Sequence, residues 1–338
     1  MKNIIGADKP NPPPEVQFLV VDEESDGQRL DNWLMRHLKG APKTLVYRII
    51  RSGEVRVNKG RASADTRVVT GDQVRVPPLR LAAKPTTTLA GTAVNPGVPA
   101  RQFPVLYEDD GILAIDKPAG VAVHGGSGIS HGVIEQLRQA RPGARLLELV
   151  HRLDRETSGV LLVAKKRSVL RQLQDQFRQR ETGKTYLTLV HGQWPSRQKV
   201  IDMPLQRYLV PNGQGEGERR VRVVGKDDPE GQRAITLVRV ARLVGGFSLL
   251  EVTIKTGRTH QIRVHLSSLG YPIVGDDKYG NFERNREWHK AGLQRMFLHA
   301  WRLQFNHPAS GERVALQAEL PPELQQYVSH VQLPTPPV

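Results

Sequence analysis

Residues 151–159 read HRLDRETSG and lie between a largely apolar run, residues 146–150, and a continuous apolar run, Val160 to Ala164. The second run is typical of a buried strand, so Asp154 is predicted to lie on a loop at the mouth of a sheet, where a rigid scaffold commonly positions reactive side chains. Its two flanking arginines would keep a partly buried carboxylate ionised at pH 7. Such a carboxylate acts as a nucleophile or as a base. The alternative is a structural aspartate that caps a turn.

Other kinds of catalytic site fit the sequence less well. A triad of Ser158 with the neighbouring His151 and Asp154 lacks the Gly-x-Ser-x-Gly turn. His260 and His265 are five residues apart on a predicted helix, about 140° around its axis, so they cannot share a metal from one face. The glycines of residues 213–217 follow no strand and do not form a phosphate-binding loop. We therefore predict no metal and no nucleotide cofactor.

The composition favours a polyanionic partner. The 338 residues include 49 Lys and Arg against 34 Asp and Glu, a formal net charge of +15. Basic side chains placed against phosphates release condensed counterions, although an Arg-rich surface without such a partner is the alternative. The absence of cysteine excludes disulfides, thiolate catalysis and Cys-ligated zinc. Neither a signal peptide nor a membrane-spanning run is visible, so we expect a cytoplasmic protein with no membrane partner.

The pattern along the chain predicts two domains. We expect a disordered tail at 1–15, a compact segment at 16–82, a linker at 83–100, a large domain at 101–328 and a second disordered tail at 329–338. In the large domain, strand-like stretches outnumber helical ones and rarely alternate with them. This predicts an α+β fold with a mixed, largely antiparallel central sheet. The strand-like stretches are Ile112–Ile115, Gly159–Ala164, Thr185–Val190, Ala234–Val240, Phe247–Thr256 and Met296–Phe305; helices are predicted around 169–177 and from an N-cap at Thr259 to Gly270.

Residues 16–82 predict a small α/β domain with two short helices. One helix is indicated by apolar residues at helical spacing from Leu30 to Leu38. The other is predicted from Lys43 to Ser52, with Leu45, Ile49 and Ile50 facing inward.

This segment resembles the S4 RNA-binding domain at Arg29-Leu30-Asp31, at residues 53–58 (GEVRVN) and at residues 71–74 (GDQV). The resemblance implies that basic side chains of the second helix and the following strand contact structured RNA. These side chains are Lys43, Arg48, Arg51 and Arg56. A solvated helix face is the alternative interpretation.

The large domain resembles the RluA-type pseudouridine synthases. The stretch His-Arg-Leu-Asp-x-x-Thr-Ser-Gly at 151–159 matches the signature of that family at all seven specified positions. Four further motifs occur in the family's order, at residues 113–124, 184–186, 256–265 and 297–300.

The resemblance implies a pseudouridine synthase fold and the isomerisation of uridine to pseudouridine in RNA, without a cofactor. It also implies roles for three residues. Asp154 would be the essential carboxylate, Arg263 would pair with it and keep it charged, and Tyr186 would stack on the uracil or help to remove the C5 proton. Without that family context, Arg263 is a surface helix residue and Tyr186 a core aromatic.

RNA contacts are implied for four residues around the same signature and motif. Arg152 would enter the RNA where the target base leaves the stack, and further contacts are expected from His151, Arg155 and Arg258. The expected partner of this bacterial enzyme is 23S ribosomal RNA or a large-subunit precursor, bound by a monomer. The alternatives are the same chemistry on other uridines of ribosomal or transfer RNA, a non-catalytic RNA-binding factor, and a glycoside hydrolase, which would usually need a second carboxylate.

Overall fold

The computed structural model describes residues 15–38, 41–79, 87–89, 92–94, 97–125, 131–211 and 217–328. The chain divides into two compact units, residues 1–86 and 87–338. The tails predicted at 1–15, apart from Glu15, and at 329–338 lie outside the described residues. The domain boundaries given above stay a prediction.

The first unit combines two helices with a small antiparallel sheet. Its strands, in spatial order β1-β4-β2-β3, are β1 (Gln17–Val20), β2 (Arg56–Val57), β3 (Gly60–Arg61) and β4 (Gln73–Val76). Its helices are a 3-10 turn (Glu23–Ser25), α1 (Leu30–His37) and α2 (Lys43–Arg51). Both predicted helices are therefore confirmed.

The core of this unit is shared by α1, α2 and β4. Trp33 of α1 and Ile49 of α2 are fully buried, and Ile50 is nearly so. Leu45 packs against this core as predicted but is only half-buried, whereas Val46, which was not predicted, is fully buried. The inward face of α2 therefore follows the helical spacing 46, 49 and 50.

The predicted linker contains a short hairpin. Strands β5 (Thr87–Leu89) and β6 (Thr92–Val94) pair antiparallel within the stretch that its composition indicated to be without regular structure. Three-residue strands rich in Thr are below the length at which an alternating pattern is legible in a sequence.

The second unit is built on one large sheet. In the described part of the chain this sheet has ten strands, in the order β12-β15-β16-β11-β17-β10-β8-β7, with β9 also on β10 and β18 also on β17. The strands of the unit are β7 (Val105–Glu108), β8 (Ile112–Lys117), β9 (Glu148–Leu149), β10 (Ser158–Ala164), β11 (Gly183–His191), β12 (Val200–Asp202), β13 (Leu205–Val210), β14 (Glu218–Val223), β15 (Ile235–Val244), β16 (Phe247–Ile254), β17 (Leu298–Asn306) and β18 (Arg313–Gln317). Its helices are α3 (Val133–Ala140), α4 (Arg167–Gln179), α5 (Gln261–Ser268), α6 (Phe282–Lys290) and α7 (Pro322–Gln325).

This architecture confirms the predicted α+β class with a mixed, largely antiparallel sheet. Among the described strands, β10 and β17 pair in parallel, with Ser158 opposite His299 and Gly159 opposite Ala300. Gly159 has a φ of +111°, and a Cβ there would lie 2.2 Å from the carbonyl oxygen of Ala300. Only glycine fits this approach, and the loop that carries Asp154 enters the sheet at this point.

Three helical details differ from the sequence prediction. Helix α5 begins at Gln261, and its N-cap is His260 in the left-handed region rather than Thr259. No side chain caps the first turn of α5, and the Gln261 side chain accepts from the amide N–H of Arg258 at 3.1 Å. Helices α3 and α6 were not predicted, and α6 buries only Asn285 among its described residues, so it shows no apolar stripe. Over the described residues, no helix has both the length and the apolar content needed to cross a membrane.

Candidate active site

Asp154 lies on the loop between β9 and β10, at a cleft of about 470 Å³ that is partly open to solvent. The backbone carbonyl of Asp154 accepts a hydrogen bond from the Thr157 amide at 3.1 Å, which closes a tight turn. The side chain of Asp154 is 29% exposed, so it is accessible from the cleft. Five other residues singled out from the sequence also line the cleft: Arg152, Tyr186, Arg258, His260 and Arg263.

Arg263 on α5 contacts the carboxylate of Asp154. Its Nη1 donates to Oδ2 of Asp154 at 3.2 Å, while its Nε and Nη2 donate to the carboxylate of Asp276, both at 2.8 Å. Burial by itself would lower the pKa of Arg263, but the bond to Asp276 and the charges of Asp276 and Asp154 raise that pKa above its usual range. The guanidinium is therefore charged, and the contact between Arg263 and Asp154 that the family resemblance implied is present.

Asp276 is a site residue that the sequence analysis missed. Its side chain is 1% exposed, and its Oδ1 also accepts the amide hydrogens of Lys278 and Tyr279 at 2.9 and 3.1 Å. Burial opposes ionisation, but the bond from Arg263 outweighs it and lowers the pKa of Asp276. Asp276 thus fixes Arg263 from the side opposite Asp154. An aspartate after a glycine in a turn is too common a pattern to reveal this role.

Tyr186 on β11 borders the cleft beside Asp154. Burial, followed by the negative charge of Asp154, raises the pKa of Tyr186 above its usual range. The phenol therefore keeps its proton at neutral pH.

The predicted RNA-contacting arginines occupy the rim of the cleft or its surroundings. Arg152 is exposed, and the side chain of Arg155 is 63% exposed, with its Nε donating to Gly120 O at 3.0 Å. Arg258 is half-buried and donates to Arg233 O at 3.2 Å. These positions are accessible to an RNA backbone, and the RNA contacts stay a prediction.

His151 packs against β10 and α4. Its Nε2 accepts a hydrogen bond from the Leu162 amide at 3.1 Å, and its ring stacks on Phe177 with centroids 4.9 Å apart. Burial, with a smaller effect from the charge of Lys184, lowers the pKa of His151 to about 4. The neutral ring of His151 therefore connects the start of the loop that carries Asp154 to β10 and α4, and its RNA contact stays a prediction.

Lys117 supports the same loop from below. Its side chain is fully buried, and its Nζ donates to the carbonyl oxygens of Pro118, Val121 and Arg155 at 2.7, 2.8 and 3.0 Å. Burial, and then the charge of Arg295, lowers the pKa of Lys117 to about 7. The bond to Arg155 connects the residue after Asp154 to strand β8. The motif at 113–124 therefore contacts the loop of the signature, although the two are distant in sequence.

The alternative sites weighed in the sequence do not assemble. Ser158 bonds to His299 Nδ1 at 2.8 Å and to Arg295, away from His151. The ring of His265 is occupied by Thr236 Oγ1 and Met203 O, so it does not share a site with His260. Across the residues that the structure describes, no group of three or more His, Cys, Asp or Glu side chains could hold a metal ion.

The basic face of the first unit lies on α2. Lys43, Arg48 and Arg51 are exposed, and Arg56 on β2 is half-buried. These residues form an accessible positive surface within that unit, and their contacts to RNA stay a prediction.

Known proteins resemble this chain along most of its length. The family model described as RNA pseudouridylate synthase matches residues 111–268, and the S4 domain model matches residues 28–74. The ribosomal large subunit pseudouridine synthase C of Haemophilus influenzae is 47% identical over 305 residues, which cover 90% of this chain and 92% of that protein. The chain belongs to the RNA pseudouridylate synthase family. It is therefore an isomerase that converts uridine to pseudouridine in RNA.

Two further pseudouridine synthases support this assignment. The ribosomal large subunit pseudouridine synthase C of Escherichia coli K12 is 48% identical over 312 residues, covering 91% of this chain and 94% of that protein. Among solved structures, human RNA pseudouridylate synthase domain containing 4 has a TM-score of 0.54 at 28% identity and covers 69% of this chain and 95% of that one. Val123-His124 and the glycines after it resemble the ribosomal large subunit pseudouridine synthase C, and both relatives at 47–48% identity carry that name.

Proposed function

We propose that this pseudouridine synthase modifies specific uridines of bacterial 23S ribosomal RNA, acting as a monomer in the cytoplasm. Three observations support the substrate. The relatives at 47–48% identity carry names that specify the large ribosomal subunit. An S4 domain is present. The net charge of +15 suits a polyanion.

The observation that carries the chemistry is the Asp154 carboxylate, accessible from the cleft and held by a charged arginine. Isomerisation breaks the N1–C1′ bond, turns the uracil and joins C5 to C1′. The C5 proton leaves and N1 gains a proton, so neither redox chemistry nor net hydrolysis is needed. Asp154 either attacks C1′ or removes a sugar proton, and both routes use the carboxylate that Arg263 contacts at 3.2 Å.

The rim of the cleft suits a base that has left the RNA stack. Extruding a nucleotide costs a few kcal/mol, and the exposed guanidinium of Arg152 would offset part of this cost by filling the gap. The protonated ring of Tyr186 would then pack against the uracil. The position of Tyr186 in the lining of the cleft, together with Asp154, supports this stacking role.

Purified protein incubated with C5-tritiated RNA tests the substrate. We expect tritium release from 23S ribosomal RNA or large-subunit precursor particles, and none from 16S ribosomal RNA or transfer RNA at equal uridine concentration. Release from transfer RNA alone would overturn the ribosomal substrate but keep the isomerase. Absence of release from every RNA, naked or in particles, would contradict the activity itself.

A further inference from the structure

A line of polar contacts leads from strand β14 to the catalytic carboxylate. The amide N–H of Val221 donates to Tyr279 Oη at 3.0 Å. That oxygen lies 2.8 Å from His260 Nδ1, and His260 Nε2 lies 3.8 Å from Oδ2 of Asp154. In the sequence His260 had been considered only as a metal ligand, and Tyr279 not at all.

The inventory of donors favours one direction for these hydrogen bonds. A phenol has a single hydrogen, and Tyr279 Oη already accepts the hydrogen of the Val221 amide. The phenol hydrogen is therefore free to point at Nδ1 of His260. A neutral imidazole that accepts at Nδ1 carries its hydrogen on Nε2, the nitrogen that faces Asp154.

The surroundings keep both partners in these protonation states. Burial raises the pKa of Tyr279 to about 12. Burial also lowers the pKa of His260, and the charge of Asp154 opposes this shift. The charges of Arg263 and Lys278 lower the pKa further, whereas the charge of Asp276 raises it. The side chain of His260 is 17% exposed, and the Arg263 guanidinium lies over the Tyr279 ring at 5.1 Å.

We propose that His260 is a positioning residue for Asp154, a neutral imidazole that directs its Nε2–H at Oδ2, with its tautomer fixed by Tyr279. Arg263 contacts the same Oδ2. Once the contact of His260 closes, both donors restrain this one oxygen, which assigns Oδ1 as the oxygen that reacts with the substrate. The gap of 3.8 Å is longer than a hydrogen bond and would close in the complex with RNA, as contacts in unliganded sites often do. This inference deepens the proposed function and rests on it.

The tautomer can be measured without any substrate. In ¹⁵N-histidine-labelled full-length protein, His260→Gln identifies the His260 signals by their loss. We expect a neutral ring protonated on Nε2 in the wild type at neutral pH, and a mixture of tautomers in Tyr279→Phe. A ring protonated on Nδ1, or an imidazolium, would overturn the inference whatever the enzyme's activity.

The kinetics of two His260 variants distinguish a hydrogen-bond donor role of the side chain from a role of the backbone alone. His260 has a φ of +51°, a region that Asn adopts more readily than Gln. A role in the backbone alone thus predicts that His260→Asn is at least as active as His260→Gln. The donor role predicts the opposite order, because the longer Gln can place an amide N–H near the position of Nε2 and Asn cannot.

Tyr279→Phe tests the tautomer control at the level of turnover. We expect kcat to fall about tenfold with KM little changed, since an orienting partner that fixes a histidine tautomer acts on the chemical step. Tyr327→Phe is the matched control: it removes a hydroxyl that bonds Ala291 O at 2.9 Å outside the cleft, and it should behave as wild type. Equal kcat in Tyr279→Phe and wild type would refute the inference, whereas an inactive wild type would refute the proposed function and leave the tautomer to be judged by NMR.

Discussion

Replacing Asp276 by Asn tests whether Arg263 is held in place from behind. The Asp276 carboxylate accepts hydrogens from Arg263 Nε, Arg263 Nη2 and two backbone amides. Both side chains are buried, at 11% and 1% exposure. Removing one partner of a buried ion pair costs about 3–5 kcal/mol. Because Asp154 remains as a second partner for Arg263, we expect the lower end, about 3 kcal/mol, which corresponds to a Tm lower by roughly 6–12 °C for a unit of this size.

The unfolding of the second unit can be followed by tryptophan fluorescence, since Trp194, Trp288 and Trp301 all belong to it. We also expect kcat to fall more than tenfold, because Arg263 loses the contact that aims it at Asp154. Asp277→Asn removes the same charge at the exposed neighbouring position and should change stability by less than about 0.5 kcal/mol. Equal effects of the two substitutions, or a Asp276→Asn variant as stable and active as wild type, would refute the reasoning.

The same pair of proteins has a defined pH dependence. The folded-state pKa of Asp276 is lowered from its ordinary value of 3.8. The stability that its charge contributes is therefore fully present above about that value and is lost as the pH falls through the lower folded-state pKa. We expect the difference in free energy of unfolding between wild type and Asp276→Asn to shrink in that acidic window. A difference that stays constant there would contradict the lowered pKa.

Three further predictions concern the scaffold and the RNA-binding surface. Gly159→Ala should destabilise the second unit by about 3 kcal/mol in urea denaturation, because φ is +111° and the new Cβ would meet Ala300 O. The control Gly143→Ala, whose Cβ meets nothing within 4 Å, should leave the stability unchanged. Lys117→Met should cost about 3 kcal/mol or more, since three carbonyl oxygens lose their donor; unchanged stability would contradict the supporting role. Replacing Lys43, Arg48 and Arg51 together by Ala should weaken RNA binding. The slope of the logarithm of the binding constant against the logarithm of the salt concentration should become shallower by about 0.9 per lost phosphate contact on duplex RNA or DNA. An unchanged slope would show that α2 is not part of the RNA interface.

The sequence predicts those parts of the fold whose signals are local. The continuous apolar run from Val160 to Ala164 indicates a buried strand, and β10 is there. The basic and apolar faces of α2 follow from helical spacing alone. Helix α6 was missed because it buries only Asn285 among its described residues, and strand β13 because its sequence, LQRYLV, does not alternate between apolar and polar residues.

The candidate site likewise combines residues that local motifs predict with residues whose role depends on contacts in three dimensions. Asp154 and Arg263 are predicted from motifs and lie in contact although 109 residues separate them. Asp276, Tyr279 and His260 act through bonds whose partners come from other elements, including a backbone amide of β14. A backbone donor has no signature in a sequence, so the contribution of Val221 is visible only in three dimensions. The stacking of His151 on Phe177 is likewise visible only in three dimensions.

We propose that the Asp154 carboxylate is essential for the isomerisation chemistry. The most direct measurement is tritium release from C5-labelled 23S ribosomal RNA by wild type and Asp154→Asn, together with RNA binding by both proteins. We predict that the variant binds the RNA with an affinity close to that of wild type and releases no tritium above background. Release by Asp154→Asn at the wild-type rate, or loss of folding and binding together with activity, would contradict the claim and return Asp154 to a structural role.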